Sequence, residues 1–258
     1  MKFICFGIIF VIIALVSADA VKRPSDEECG QQLNKITQYN KIMYQLDFEK
    51  FPDTLQGIDY VCETGRKEYD QIHQYRKCLS GLGRQTAVLI GRGMKKLYRK
   101  FCTSKEKKEK LLEELRCYTS DTKERWTKCI IDIDRHLEFA VRNSTEKYLL
   151  ANMCCSHATS VRCIENSMKI LEKCPKKPVK KRFLMEALNT VVEESLDFVC
   201  GSFQHERECL EKNPQGVRNI EEISRSGTKE LDSGKLLFGP LIAGVSRLSS
   251  DDTKDSDD

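Results

Sequence analysis

Cysteine and histidine meet in one run, Cys154-Cys155-Ser156-His157-Ala158, and three chemistries compete for it. A thiolate beside an imidazole is a nucleophile with its base. Clustered thiolates and imidazoles hold zinc. Paired thiols close disulfides. The run reads as helix, on which neighbouring residues point about 100° apart, so Cys154 and Cys155 cannot serve one partner. One is expected to reach back to an earlier segment and the other forward or sideways, making this helix a hub. Zinc lacks support, because no C-x-x-C knuckle or paired-histidine spacing occurs.

The imidazole has little to work with. Secreted phospholipases A2 carry C-C-x-x-H followed by Asp. Here His157 comes one residue too early and Ala158 stands where the aspartate would be. That shift turns the ring by about 100° on its helix, and no glycine-rich calcium loop accompanies it. A phospholipase A2-like hydrolase is therefore the remotest reading. His73, His136 and His205 are expected on polar faces, as surface or capping residues. No G-x-S-x-G, H-E-x-x-H or phosphate-binding loop is present. The sequence is read as non-enzymatic, with no catalytic, cofactor-binding or metal-binding residues and no cofactor.

Disulfides are the remaining use of the sulfur. Residues 1–20 combine Lys2, an apolar run from Phe3 to Val16 and the small-residue ending Ser17-Ala18-Asp19-Ala20, the pattern of a secretory signal peptide cleaved after Ala18 or Ala20. Its removal takes Cys5 and leaves an even set in an oxidising compartment. The candidates are Cys29, Cys62, Cys78, Cys102, Cys117, Cys129, Cys154, Cys155, Cys163, Cys174, Cys200 and Cys209. An even set leaves no thiol nucleophile standing out; sequence does not choose the connectivity. Asn143-Ser144-Thr145 is a glycosylation sequon, which expects Asn143 on the surface.

Helices must position these sulfurs. Three segments share a layout: Cys78 to Cys102, Cys129 to Cys154 and Cys174 to Cys200, with spans of 24, 25 and 26 residues. Each opens with Lys-Cys, closes with a cysteine after an apolar residue, and is followed by a shorter step to Cys117, Cys163 or Cys209. Openings 51 and 45 residues apart have the period of helical arrays, and Cys29 to Cys62 is an earlier, looser copy. Apolar residues recur at three- and four-residue steps almost throughout. Expected helix starts are Asp26, the capping-box pairs Thr103/Glu106 and Asp121/Glu124. Gly65 is read as a helix end, and Phe51-Pro52-Asp53 and Gly81/Gly83 as interruptions. Cys163 and Cys174 lie three turns apart on one side, roughly 16 Å, so they must bond to other helices. No segment alternates with period two, and a sheet has no support.

The expected fold is all-α: a disulfide-stapled bundle or array of about eight helices with a disordered C-terminal tail. It divides into residues 1–20 as leader, 21–211 as the cysteine-rich domain with internal repeats, and 212–258 as a largely disordered tail ending acidic. The patch Leu236 to Val245 is too short to cross a membrane, leaving no transmembrane segment in the mature form; it docks on the bundle or on a partner if it is ordered. The 258 residues include 43 basic and 39 acidic, net +4, without a dense basic patch interleaved with aromatics, so nucleic acid is not an expected partner.

The run from Cys78 to Cys200 resembles a family of secreted arthropod proteins, the hemolymph glycoprotein-like group of insects with relatives in ticks, spiders and scorpions. The resemblance is carried by Tyr75-Arg76-Lys77-Cys78-Leu79, by Cys154-Cys155 with Cys163 and Cys174, and by Phe198-Val199-Cys200. Nematode secreted cysteine-rich domains look similar. The resemblance implies a helical, disulfide-bonded extracellular fold, and transfers no functional residue. The expected function is a secreted, hemolymph-type binding protein whose partner is an apolar small molecule or an extracellular protein. The alternative is a gland-secreted venom or defence component.

Overall fold

The computed structural model describes residues 24–43, 51–116, 118–168, 183–203, 205–226 and 238–251. The expectations for the leader at 1–20, for Cys117 and Cys174, and for the acidic end at 252–258 lie outside them.

Every regular element among the described residues is helical. In chain order these are α1 (Asp26–Met43), α2 (Leu55–Tyr75), α3 (Gly81–Phe101), α4 (Lys105–Leu115), α5 (Ser120–Asn143) and α6 (Glu146–Met168). They continue with α7 (Phe183–Cys200), α8 (Glu206–Lys212), α9 (Pro214–Ser226) and α10 (Phe238–Asp251). None of these is long and apolar enough to cross a membrane.

Helix starts follow side-chain capping, though at residues the pattern had misplaced. Ser25, not Asp26, caps α1: its Oγ accepts from the Glu28 N–H at 3.2 Å, and its own N–H donates to Glu28 Oε2 at 2.8 Å. That reciprocal pair is a capping box. Ser104 replaces Thr103 as the cap of α4, accepting from Lys107 N–H. Thr119 replaces Asp121 at α5, accepting from Thr122 N–H. Each neighbour is also a plausible acceptor by type, and only the chain's direction into the helix decides which one turns inward.

Two expected breaks differ. Gly65 does not end a helix; α2 runs through it to Tyr75. Glycine costs a helix interior only about 1 kcal/mol, which the burial of Ile58, Cys62, Ile72 and Tyr75 along the same helix offsets. Gly81, by contrast, has φ of +46°, a backbone turn that suits glycine, and it opens α3.

Three apolar clusters hold the body together. The largest gathers Trp126, Ile130, Ile133 and Leu137 of α5 with Leu111, Leu112 and Leu115 of α4 and Leu149, Met153 and Ile164 of α6. A second joins Ile36 of α1, Ile72 and Tyr75 of α2, and Ala87, Ile90 and Met94 of α3. A third joins Cys155 and Ala158 of α6 to Cys209, Val217 and Ile220 at the start of α8–α9. The most extensive helix pairings are α3 with α7 and α5 with α6.

Two described parts of the segment expected as a largely disordered tail, 212–226 and 238–251, are helical and packed. Within them α9 buries Val217 and Ile220, and α10 buries Ile242 and Val245, the latter with no exposure. Pro214 begins α9, where its missing N–H costs nothing, and Asn213 Oδ1 accepts from Gly216 N–H. The docking alternative for Leu236 to Val245 therefore holds for the described part, 238–245. Arg247 fixes the contact by donating to the carbonyls of Val141 and Ser144 at the end of α5, where a cation meets the helix's negative pole.

Candidate functional site: an apolar cavity at the disulfide-tied helices

Five bridges connect the described cysteines: Cys29–Cys78, Cys62–Cys102, Cys129–Cys163, Cys154–Cys200 and Cys155–Cys209. Cys154 and Cys155 do part company, as helical geometry requires. Both reach forward, however, to α7 and α8, and it is Cys163 that reaches back, to α5. The physical reason is the packing of α6, which lies between α5 on one side and α7 with α8 on the other. Bridges 29–78, 62–102 and 154–200 each join like positions of successive copies in the cysteine layout, while 129–163 and 155–209 do not.

Between the tied helices lies a cavity of about 310 Å³. Helices α2, α3, α5, α6 and α7 form most of its walls, α4 and α10 add lining residues, and the bridges Cys62–Cys102 and Cys154–Cys200 border it. The lining is overwhelmingly apolar, with Ile90, Met94, Phe101, Trp126, Leu188 and Val191 among its larger groups. Among the described residues no lysine, arginine or aspartate lines it.

Three lining side chains carry a buried polar atom without a hydrogen-bond partner: Glu68 Oε2, Thr86 Oγ1 and His157 Nε2. Glu68 is 3 % exposed and Thr86 2 %. Ser195, also on the wall, is satisfied within α7 by donating to Val192 O at 2.7 Å. Burial alone pushes the Glu68 carboxyl up to about 8 and lowers His157 to about 4, because a charge without a partner is disfavoured in an apolar surround. At neutral pH Glu68 is therefore mainly protonated and His157 neutral, and the Thr86 hydroxyl carries no charge.

Glu68 and Thr86 were overlooked in the sequence, although a signal existed. Ile58, Cys62, Gly65, Glu68, Ile72 and Tyr75 follow one another at steps of three and four, a single helical stripe. An acidic residue on that stripe stands out once Gly65 is not taken as a stop. Thr86 occupies the same kind of position between Gly83 and Ile90 on α3.

The other expected residues fall as follows. Asn143 is exposed at the end of α5, its Nδ2 donating to Phe139 O. His73 is exposed beside Arg76, and His205 starts α8 with its N–H donating to Glu208 Oε2. His136 is a correction: it is 2 % exposed rather than on a polar face. Its Nε2 lies 2.7 Å from Ser224 Oγ, because α9 packs over the side of α5 that carries it. His157 does not meet an aspartate; it faces the cavity. Among the described residues no group of three or more His, Cys, Asp or Glu is placed to hold a metal ion.

Comparison with protein-family models, with curated proteins and with solved structures finds no match to this chain.

Proposed function

We propose that the protein is a secreted, non-enzymatic carrier that holds an apolar small molecule inside its disulfide-tied helical body. The cavity is the observation that supports this. Its volume of about 310 Å³ falls at the lower end of the range for small-molecule pockets, roughly 300 to 1,000 Å³. Its lining is mostly apolar, and apolar surface left in water is unfavourable. A ligand that fills it covers that surface.

The five bridges fit an oxidising compartment. With the leader pattern at 1–20 they favour the extracellular setting that the resemblance to hemolymph glycoprotein-like proteins implies, with Asn143 as the glycan site. The absence of a charged partner for His157 weighs against hydrolysis, since a general base is oriented by a neighbouring group.

The deciding experiment is native mass spectrometry of the full protein secreted from eukaryotic cells without reduction, followed by organic extraction. An apolar compound should co-purify, and dodecane or 1-dodecanol should raise the unfolding temperature of the stripped protein. A stripped protein that neither retains nor is stabilised by any such compound would sink the carrier reading.

A further inference from the structure

The polar atoms of the cavity wall are arranged at two levels. Gly93 of α3 lies against Val191 of α7, and Lys100 pairs with Glu186 further along, so α3 and α7 run antiparallel. That register brings Thr86 to the level of Phe198–Val199. The Cys154–Cys200 bridge brings His157 to within about a turn of the same level. Glu68 lies elsewhere: its neighbour Tyr69 faces Gly91, roughly 7.5 Å along α3 from Thr86 at 1.5 Å per residue. One end of the cavity thus presents a hydroxyl with an imidazole nitrogen, and a carboxyl stands farther along.

Resting on the carrier reading, we propose that the ligand is a neutral, oxygen-bearing hydrocarbon, an alcohol or ketone rather than a fatty-acid anion or a phospholipid. A buried donor or acceptor without a partner costs about 1–3 kcal/mol, and three such atoms belong to side chains that line this space. A hydroxyl or carbonyl on the ligand would satisfy the polar group at one of the two levels, because a protonated carboxyl and a threonine hydroxyl each donate and accept. A carboxylate or phosphate has no such welcome. Among the described residues no lysine or arginine reaches the lining, and an anion moved against that wall would lose its hydration without gaining a countercharge from it.

The test is a matched ligand series on the full, disulfide-intact protein at pH 7: dodecane, 1-dodecanol and laurate, with binding read by displacement of an apolar fluorophore. Dodecanol should bind at least tenfold tighter than either of the others. Glu68→Leu with Thr86→Val should bring dodecanol down to the level of dodecane measured on the same variant. Laurate binding as tightly as dodecanol would overturn the neutral-ligand proposal, and dodecane equalling dodecanol would overturn the role of the polar atoms. Either outcome leaves the apolar carrier standing. Failure of all three ligands would remove the carrier reading itself.

Discussion

Gly93 of α3 presses directly on the backbone of Val191 in α7: a β-carbon added there would sit 2.6 Å from the Val191 Cα and overlap the carbonyl oxygens of Thr190 and Val191. The two helices approach this closely only because position 93 has no side chain. They are also two walls of the cavity, so this contact sets its width.

Gly93→Ala should accordingly force α3 and α7 apart and destabilise the protein by about 2 kcal/mol or more, since overpacking against backbone has no side-chain escape. Gly91→Ala is the control. Its added carbon would meet only the Tyr69 ring at 3.7 Å, an ordinary contact, and alanine's helix preference should make it neutral to about 1 kcal/mol stabilising. Chemical denaturation of both variants decides. Equal stabilities would show that α3 and α7 are not in contact through Gly93.

Bridge Cys154–Cys200 closes a loop 46 residues apart in sequence. On the chain-entropy account the double variant Cys154→Ser/Cys200→Ser loses about 4 kcal/mol, and the cavity loses a tie at one rim. A non-reduced peptide map of the wild type should recover all five described pairs, with the one peptide that carries Cys154 and Cys155 linked to both the Cys200 and the Cys209 peptides and partial reduction assigning each sulfur. A peptide joining Cys155 to Cys200 would contradict the packing of α6.

Stability should peak near pH 6.5. Glu68 keeps its proton up to about pH 8 in the native state, whereas in the unfolded chain it is lost near 4.5. Between those values the native state binds more protons, so stability falls as pH rises. His136 and His157 are lowered to about 4, both by burial first. Between 4 and 6.5 the unfolded chain binds more protons, so stability falls as pH drops. Below 6.5 the two histidines outweigh Glu68, and above it Glu68 acts alone. Glu68→Gln should remove the alkaline decline, an effect on the order of a few kcal/mol at pH 8, read from denaturant midpoints across pH 4 to 9. Parallel wild-type and variant curves above pH 6.5 would reject a buried, protonated Glu68.

Arg247→Ala should loosen α10. The guanidinium donates to two carbonyls at the end of α5, and removing it leaves them without that donor at a cost of about 1–2 kcal/mol. Amide exchange should rise across 238–251 before it rises in α5 or α6. Unchanged protection of α10 would mean that Ile242 and Val245 hold it unaided.

Periodicity determined a great deal here by itself. The three- and four-residue recurrence of apolar groups specified helices, and adjacent positions on a helix obliged Cys154 and Cys155 to separate partners. These are local properties, written into successive residues. Which helices meet is not local. The forward reach of both hub cysteines, the docking of α10 through Val245, the burial of His136 under α9 and the turning of Glu68 and Thr86 toward a shared space all depend on distant stripes finding one another. A stripe states that a face is apolar but not what will cover it, and a glycine such as Gly65 or Gly93 is read as a stop or a seam only once its neighbour across the interface is known. Tertiary packing decided those, because the energy of burial belongs to pairs of surfaces rather than to either sequence segment alone.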